Sequence, residues 1–222
     1  MYFSRLELDL HLLPMQQKKE LVQKGIYAIH QWVWRFFAGD EKRKFLFSIR
    51  ARRDGFLVYI LSENRPKEVS DFRLDIKEFN PKLKQGMPLA FELVVNPTIC
   101  KQIKDKEHGM RCDIMMDVKF NHRELFGDAL REEQKRAVLK WFKRKSLQSG
   151  FSFDERNIEF HNDGAQKIFS RNKRIIFGKA SLKGILCVDD PGLFLKSMMS
   201  GYGAQKSFGC GLMLIRPVLP LE

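Results

Sequence analysis

Tyr2-Phe3-Ser4-Arg5-Leu6-Glu7-Leu8-Asp9-Leu10 opens the chain with an alternation close to period two, the pattern of a strand with one buried face. The elements after this strand decide the fold. Val22, Ile26, Ile29, Val33 and Phe36 fall on one stripe at helical spacing and predict a helix. Phe45 to Arg50 and Phe56 to Leu61 read as two strands joined by the Arg-Arg-Asp-Gly turn at 52–55. A weak element follows Pro66, and Phe72, Leu74 and Ile76 alternate with Arg73, Asp75 and Lys77 as a fourth strand. Asn-Pro and Gly-Met-Pro then punctuate residues 80–88. The predicted order is βαββαβ.

The second half repeats that order without repeating the sequence. Leu89 to Val95 reads as a strand closed by Asn96-Pro97, and a basic loop or short helix is expected around Lys101 to His108. A long helix is expected from about Arg123 to Gln148, with Leu125, Leu130, Ala137, Val138 and Trp141 as an interrupted apolar face among solvated charges. Phe151 to Asn162, Gln166 to Phe169 and Ile175 to Val188 are strand candidates, followed by a helix near Pro191 to Ser200 and a terminal strand. The expectation is therefore an α+β chain of two tandem ferredoxin-like (RRM-like) βαββαβ domains, 1–85 and 86–222. Two such antiparallel sheets side by side form a basic cleft suited to RNA.

The chain has 222 residues, 44% of them hydrophobic, enough for two small cores. Forty Lys and Arg against 27 Asp and Glu leave a net charge of +13, which points to a polyanionic partner and places nucleic acid ahead of an anionic membrane. No apolar run approaches the length of a membrane span, and the opening strand does not resemble a signal peptide, so a cytoplasmic protein is expected. Cys100, Cys112, Cys187 and Cys210 have no C-x-x-C pairing and are expected to be buried free thiols. No histidine pair or carboxylate cluster has metal-ligand spacing, so neither a metal nor another cofactor is implied.

Three stretches carry candidate chemistry. Gly201-Tyr-Gly203-Ala-Gln-Lys206-Ser207-Phe-Gly209-Cys-Gly211 could bring successive N–H groups onto one anion. It fits neither the dinucleotide fingerprint nor the P-loop, which favours a polyanion over a mononucleotide. A helix cap and tight turn into the last strand is the purely structural alternative. On the first helix Tyr27, His30 and Trp34 lie at roughly 100°, 40° and 80° from Ile26, on the shoulder of the apolar stripe, where a histidine can serve as general acid or base. Arg171-Asn172-Lys173-Arg174 reads as a basic hairpin tip able to enter a nucleic-acid groove.

Together these stretches resemble the CasE family of CRISPR-associated endoribonucleases of the type I-E Cascade complex. Met-Tyr-Phe-Ser-Arg-Leu is similar to that family's first strand, and Tyr27-Ala-Ile-His30-Gln-Trp-Val-Trp34-Arg-Phe-Phe37 to its Y-x-x-H-x-x-(L/V)-W-x-(L/F)-F helix. Residues 201–211 fit its glycine pattern, and Lys183 to Val188 resembles the strand before it. The resemblance implies a metal-independent enzyme that binds the stem-loop of a CRISPR repeat and cuts precursor RNA once at the base of the stem. The cut would leave a 2′,3′-cyclic phosphate and a 5′-OH. The cleaved crRNA would stay bound, with the protein capping its 3′ hairpin beside other Cascade subunits. By position His30 and Tyr27 would be catalytic. Lys206, Ser207, the loop glycines and Arg171, Lys173 and Arg174 would hold RNA. Gln31 stands where other members can carry a basic residue, so Arg35 or the hairpin is expected to supply that charge. The glycine pattern also occurs in inactive RNA-binding relatives, and a non-catalytic RNA-binding subunit is the alternative.

Overall fold

A computed structural model describes residues 1–102, 109–170 and 173–218. Among the described residues the chain forms two large antiparallel sheets, each packed against helices, and a separate two-stranded hairpin. In the first half β1 (Tyr2–Asp9), β2 (Phe45–Arg52), β3 (Gly55–Ser62) and β4 (Leu74–Glu78) are ordered β2-β3-β1-β4, so the opening strand is central and pairs on both edges. Its alternation does what period two requires: Ser4, Leu6 and Leu8 are buried, while Arg5, Glu7 and Asp9 are exposed.

The first helix differs from expectation. It is two helices, α1 (Met15–Lys24) and α2 (Ile26–Arg35), broken at Gly25, which has φ 56° and ψ −138°. Val22 therefore leaves the apolar stripe and is 87% exposed. Only α2 seals the core, setting Ala28, Ile29, Trp32 and Val33 against Leu6, Leu8, Phe47, Val58 and Ile60. Full burial of each such large side chain contributes roughly 1.5–3 kcal/mol.

The second helix predicted for this half is absent, and residues 63–73 cross the sheet as irregular chain. Pro66 and the lack of any 3.6-residue apolar period explain this. Phe72 takes over the packing, lying 5.6 Å from the Trp32 ring and 5.9 Å from Phe36.

The second half contains β5 (Pro88–Val95), β6 (Thr98–Lys101), β7 (Met110–Asp113), α3 (Ile114–Asn121), α4 (Gly127–Leu147), β8 (Phe151–Phe153), β9 (Glu159–Ser170), β10 (Lys173–Val188), α5 (Pro191–Ser200) and β11 (Met213–Pro217). Its sheet runs β11-β5-β10-β8, with β9 also on β10. Both sheets thus have the ferredoxin-like strand order. The β6–β7 hairpin and α3 have no counterpart among the elements expected from the sequence. β9 runs straight through Asn162-Asp163-Gly164, where the sequence suggests a turn, because Gly164 absorbs the irregularity at φ 78°. Beyond Gly178 only β9 pairs with β10, so the two strands project as a two-stranded arm. Of the cysteines only Cys210 is buried; Cys100 is exposed and Cys112 half-buried because both lie in the peripheral β6–β7 hairpin.

A buried polar knot holds these pieces in register. Asn96, 1% exposed, donates through Nδ2 to Asp113 Oδ2 at 2.5 Å and to the Gly178 carbonyl at 2.7 Å. Asp113 Oδ2 also accepts from Gly178 N at 2.7 Å, and Oδ1 caps α3 by accepting from Met115 N and Met116 N. The Asn96 carbonyl accepts from Ala204 N in the glycine loop. Asn96→Ala would take one donor from the half-buried Asp113 carboxylate and the side-chain donor from the Gly178 carbonyl, and is expected to destabilise by roughly 1–3 kcal/mol. Urea unfolding with an unchanged m-value would check this; a loss under about 1 kcal/mol would contradict it.

Candidate active site

α2 carries His30 and Tyr27 to the place where the first sheet, the glycine loop and the base of the β9–β10 arm meet. The His30 ring stacks near Phe47 of β2, with centroids 6.0 Å apart, and lies 5.7 Å from Tyr27 and 6.4 Å from Phe208. Phe208 bridges onward: it packs on Tyr27 at 6.2 Å and stacks on Phe177 of β10 at 5.8 Å. The expected half-exposed shoulder is present, since Tyr27, His30 and Trp34 are all intermediate in burial.

The electrostatics of His30 follow from this apolar seat. Its Nδ1 is buried with no hydrogen-bond partner. Burial, and second the nearby Arg43 guanidinium, lower its pKa from 6.5 to about 4, so the imidazole is neutral at pH 7. Arg43, in the loop before β2, donates to Ser207 Oγ at 2.8 Å. The Lys206 ammonium is also held below its ordinary pKa, first by burial and then by Arg43. Arg43, Lys206, Ser207 and Phe208 line one side of a groove of about 540 Å³.

The glycine loop spends part of its backbone on packing. The N–H groups of Tyr202, Ala204, Phe208 and Gly211 all donate to backbone carbonyls, whereas those of Gln205, Lys206 and Ser207, at the start of a short 3-10 turn, have no such acceptor. Its glycines permit close approach. A Cβ at Gly203 would stand 2.5 Å from the Asn96 carbonyl oxygen, and one at Gly201 would stand 2.7 Å from Leu46 Cδ1 across the gap to the first sheet. Gly209 and Gly211 sit in the same seam, against Ile49 and the Tyr202 backbone.

Arg35 is not brought to His30. Its guanidinium pairs with Asp71 at 2.7 Å and lies over the Phe72 ring. The cation facing His30 is Arg43, which belongs to the Lys42-Arg43-Lys44 run and has no motif to distinguish it in the sequence. Arg174 is exposed on the projecting arm. Arg171 and Asn172 lie outside the described residues, as does the Lys173 side chain and, in the other basic loop, His108. Among the described residues no group of three His, Cys, Asp or Glu side chains could hold a metal ion, and no helix is long and apolar enough to cross a membrane.

A family model described as CRISPR associated protein matches residues 1–217. The chain belongs to that family. It is 25% identical over 205 residues to the CRISPR system Cascade subunit CasE of Escherichia coli strain K12, covering 88% of this chain and 94% of the relative. Its fold is that of CRISPR endoribonuclease Cse3 bound to a 19-nucleotide RNA, with TM-score 0.73, 20% identity and coverage of 98% and 100% of the two chains. The Thermus thermophilus Cse3, solved with an RNA representing a pre-cleavage complex, gives 0.71 at 21% identity over 97% and 98%. The CRISPR-associated protein Cas6e from E. coli K-12 gives 0.65 at 22% identity over 98% and 100%.

Around His30, Arg43 and Phe208 are the residues that sequence reasoning passes over. Arg43→Ala is expected to raise the His30 pKa while leaving it below 6.5, because the charge is removed and the burial remains. NMR titration of the imidazole would read this; an unchanged midpoint would show that Arg43 does not act on His30.

Proposed function

We propose that this protein is a metal-independent endoribonuclease that cleaves CRISPR precursor RNA at the base of the repeat stem-loop and remains on the mature crRNA within Cascade. The reading rests on one observation above the others: a neutral, partly desolvated histidine beside a tyrosine, set against two cations that have no carboxylate partner among the described residues. Family membership and the likeness to RNA-bound Cse3 support it. We take residues 1–85 and 86–222 as the two domains, with the site at their junction.

With Nδ1 buried, the half-buried ring offers Nε2 to a ligand. A neutral imidazole accepts a proton, so His30 takes the one from the attacking ribose 2′-OH. The oxygen attacks the adjacent phosphate, the bond to the 5′ oxygen breaks as that oxygen takes a proton from the Tyr27 phenol or from solvent, and the products are a 2′,3′-cyclic phosphate and a 5′-OH. Tyr27 positions the reacting ribose or the leaving oxygen. Arg43 and Lys206 stabilise the charge that builds on the phosphate, and a bound phosphate in turn offsets their repulsion. Arg174, with Arg171 and Lys173, grips the stem. The donor set of imidazole, phenol and cations suits acid–base chemistry with charge stabilisation.

A purified sample given a CRISPR-repeat hairpin in EDTA should cut it once. A 2′-deoxy ribose at the site should abolish the cut, and His30→Ala should slow it roughly 10²- to 10⁴-fold with RNA affinity retained. Tight binding without cleavage would favour the non-catalytic subunit. In the wild type the acid limb of kcat/KM should lie near pH 4, because protonating His30 removes the base, whereas the limb of kcat should lie higher once RNA is bound. A kcat/KM limb near pH 6.5 would exclude His30 in this state as the base.

A further inference from the structure

A second groove of about 530 Å³ meets the first at Thr98, Arg111, Gly203 and Lys206 and runs along the C-terminal end of α4 and the end of α5. Arg144 and Lys145 of α4 line it, opposite Ser197 and Ser200 of α5. Lys145 and Arg111 are close enough to Lys206 to help hold its pKa down, and none of these four cations is ion-paired among the described residues. Elsewhere on α4 the exposed cations Arg131 and Arg136 are paired three residues away. The groove thus gathers four cations that no carboxylate neutralises among the described residues.

An independent observation points to a polar occupant. Trp141 and Tyr202 also line this groove, are 2% and 3% exposed, and each has a buried polar atom without a hydrogen-bond partner: the indole Nε1 and the phenol oxygen. The Tyr202 hydroxyl lies beside Ser149 without completing a bond to it. Cations above buried, unpartnered polar groups, with serine hydroxyls opposite, match the acceptors and donors of a ribose-phosphate strand. A duplex needs a broad face, whereas a single strand can follow a groove of this size.

We infer that this groove holds the single-stranded nucleotides on the 3′ side of the cut. The inference rests on the proposed cleavage at His30. A crRNA that keeps its hairpin at the 3′ end has been cut just beyond that hairpin, so the strand continuing past the scissile phosphate is the 3′ flank. The basic arm at Arg174 takes the stem on one side of the site, and the flank leaves past Lys206 into the second groove. Precursor RNA carries this flank and the retained crRNA does not, so the groove adds affinity for the substrate that the retained product lacks.

The test uses the full chain and three non-cleavable 2′-deoxy RNAs: a bare repeat hairpin, the hairpin with six added 3′ nucleotides, and the hairpin with six added 5′ nucleotides. The 3′ extension should tighten wild-type binding about tenfold, the order expected of two partly exposed phosphate contacts. The doubly substituted Arg144→Ala, Lys145→Ala chain should lose that gain while binding the bare hairpin, and cutting an all-ribose repeat hairpin, as the wild type does. Its salt slope for the 3′-extended RNA should fall by about 1.4, two contacts at roughly 0.7 each. A gain from the 5′ extension instead, or a 3′ gain that survives the double substitution, would overturn the inference and leave the cleavage reading standing. Failure of the wild type to bind the bare hairpin, or to cut its all-ribose counterpart, would instead overturn the cleavage reading.

Discussion

The backbone of residues 201–211 passes closer to both sheets than any side chain would allow, and the rest of the site depends on that approach. At Gly203 the clearance is to the Asn96 carbonyl, and at Gly201 it is to Leu46 of the first sheet. Because the loop is wedged there, Phe208 reaches the His30 and Tyr27 rings, and Ser207 receives Arg43 from the first half of the chain. Leu46, Leu61 and Leu212 close the seam, and the Arg50–Glu92 ion pair spans it nearby. Two half-sites, neither of which has the full set of groups, are fixed against one another by packing. The loop therefore acts as a spacer between the two sheets, and it presents the Lys206 and Ser207 side chains in the groove.

Much of this is legible in the sequence, for identifiable reasons. Period two in residues 2–10 and the partial stripe on α2 report burial directly, so the central strand, the sealing helix and the shoulder position of His30 and Tyr27 can all be read. Where tertiary contacts override local pattern the reading fails. Val22 continues the periodicity but follows the chain out into solvent at Gly25. Phe72 replaces a helix with a single buried ring. Arg43 escapes notice because a cation in a basic run gains its role only by lying within electrostatic range of a histidine in space. The polar knot at Asn96 is equally invisible, since its partners come from positions 113, 178 and 204.

The same packing sets the proton inventory. Holding His30 against Phe47 and Phe208 disfavours the imidazolium, and Arg43 adds to the effect, so the free protein starts with a base. Arg43 and Lys206 also resist their own charge there, and both are held below their ordinary pKa by burial. A phosphate entering the groove reverses every one of these effects at once. Its negative charge satisfies the two cations and raises the affinity of His30 for a proton, most of all as charge accumulates on the phosphorus-bound oxygens. In the proposed reaction the imidazole therefore becomes a stronger base as the substrate seats, and the imidazolium it would form is stabilised by the group under attack. A histidine held in water would have a pKa nearer neutrality but would lack this coupling. The apolar seat, which costs stability as pH falls from 6.5 towards 4 because the unfolded chain takes up the proton first, is what ties the basicity of His30 to the presence of RNA.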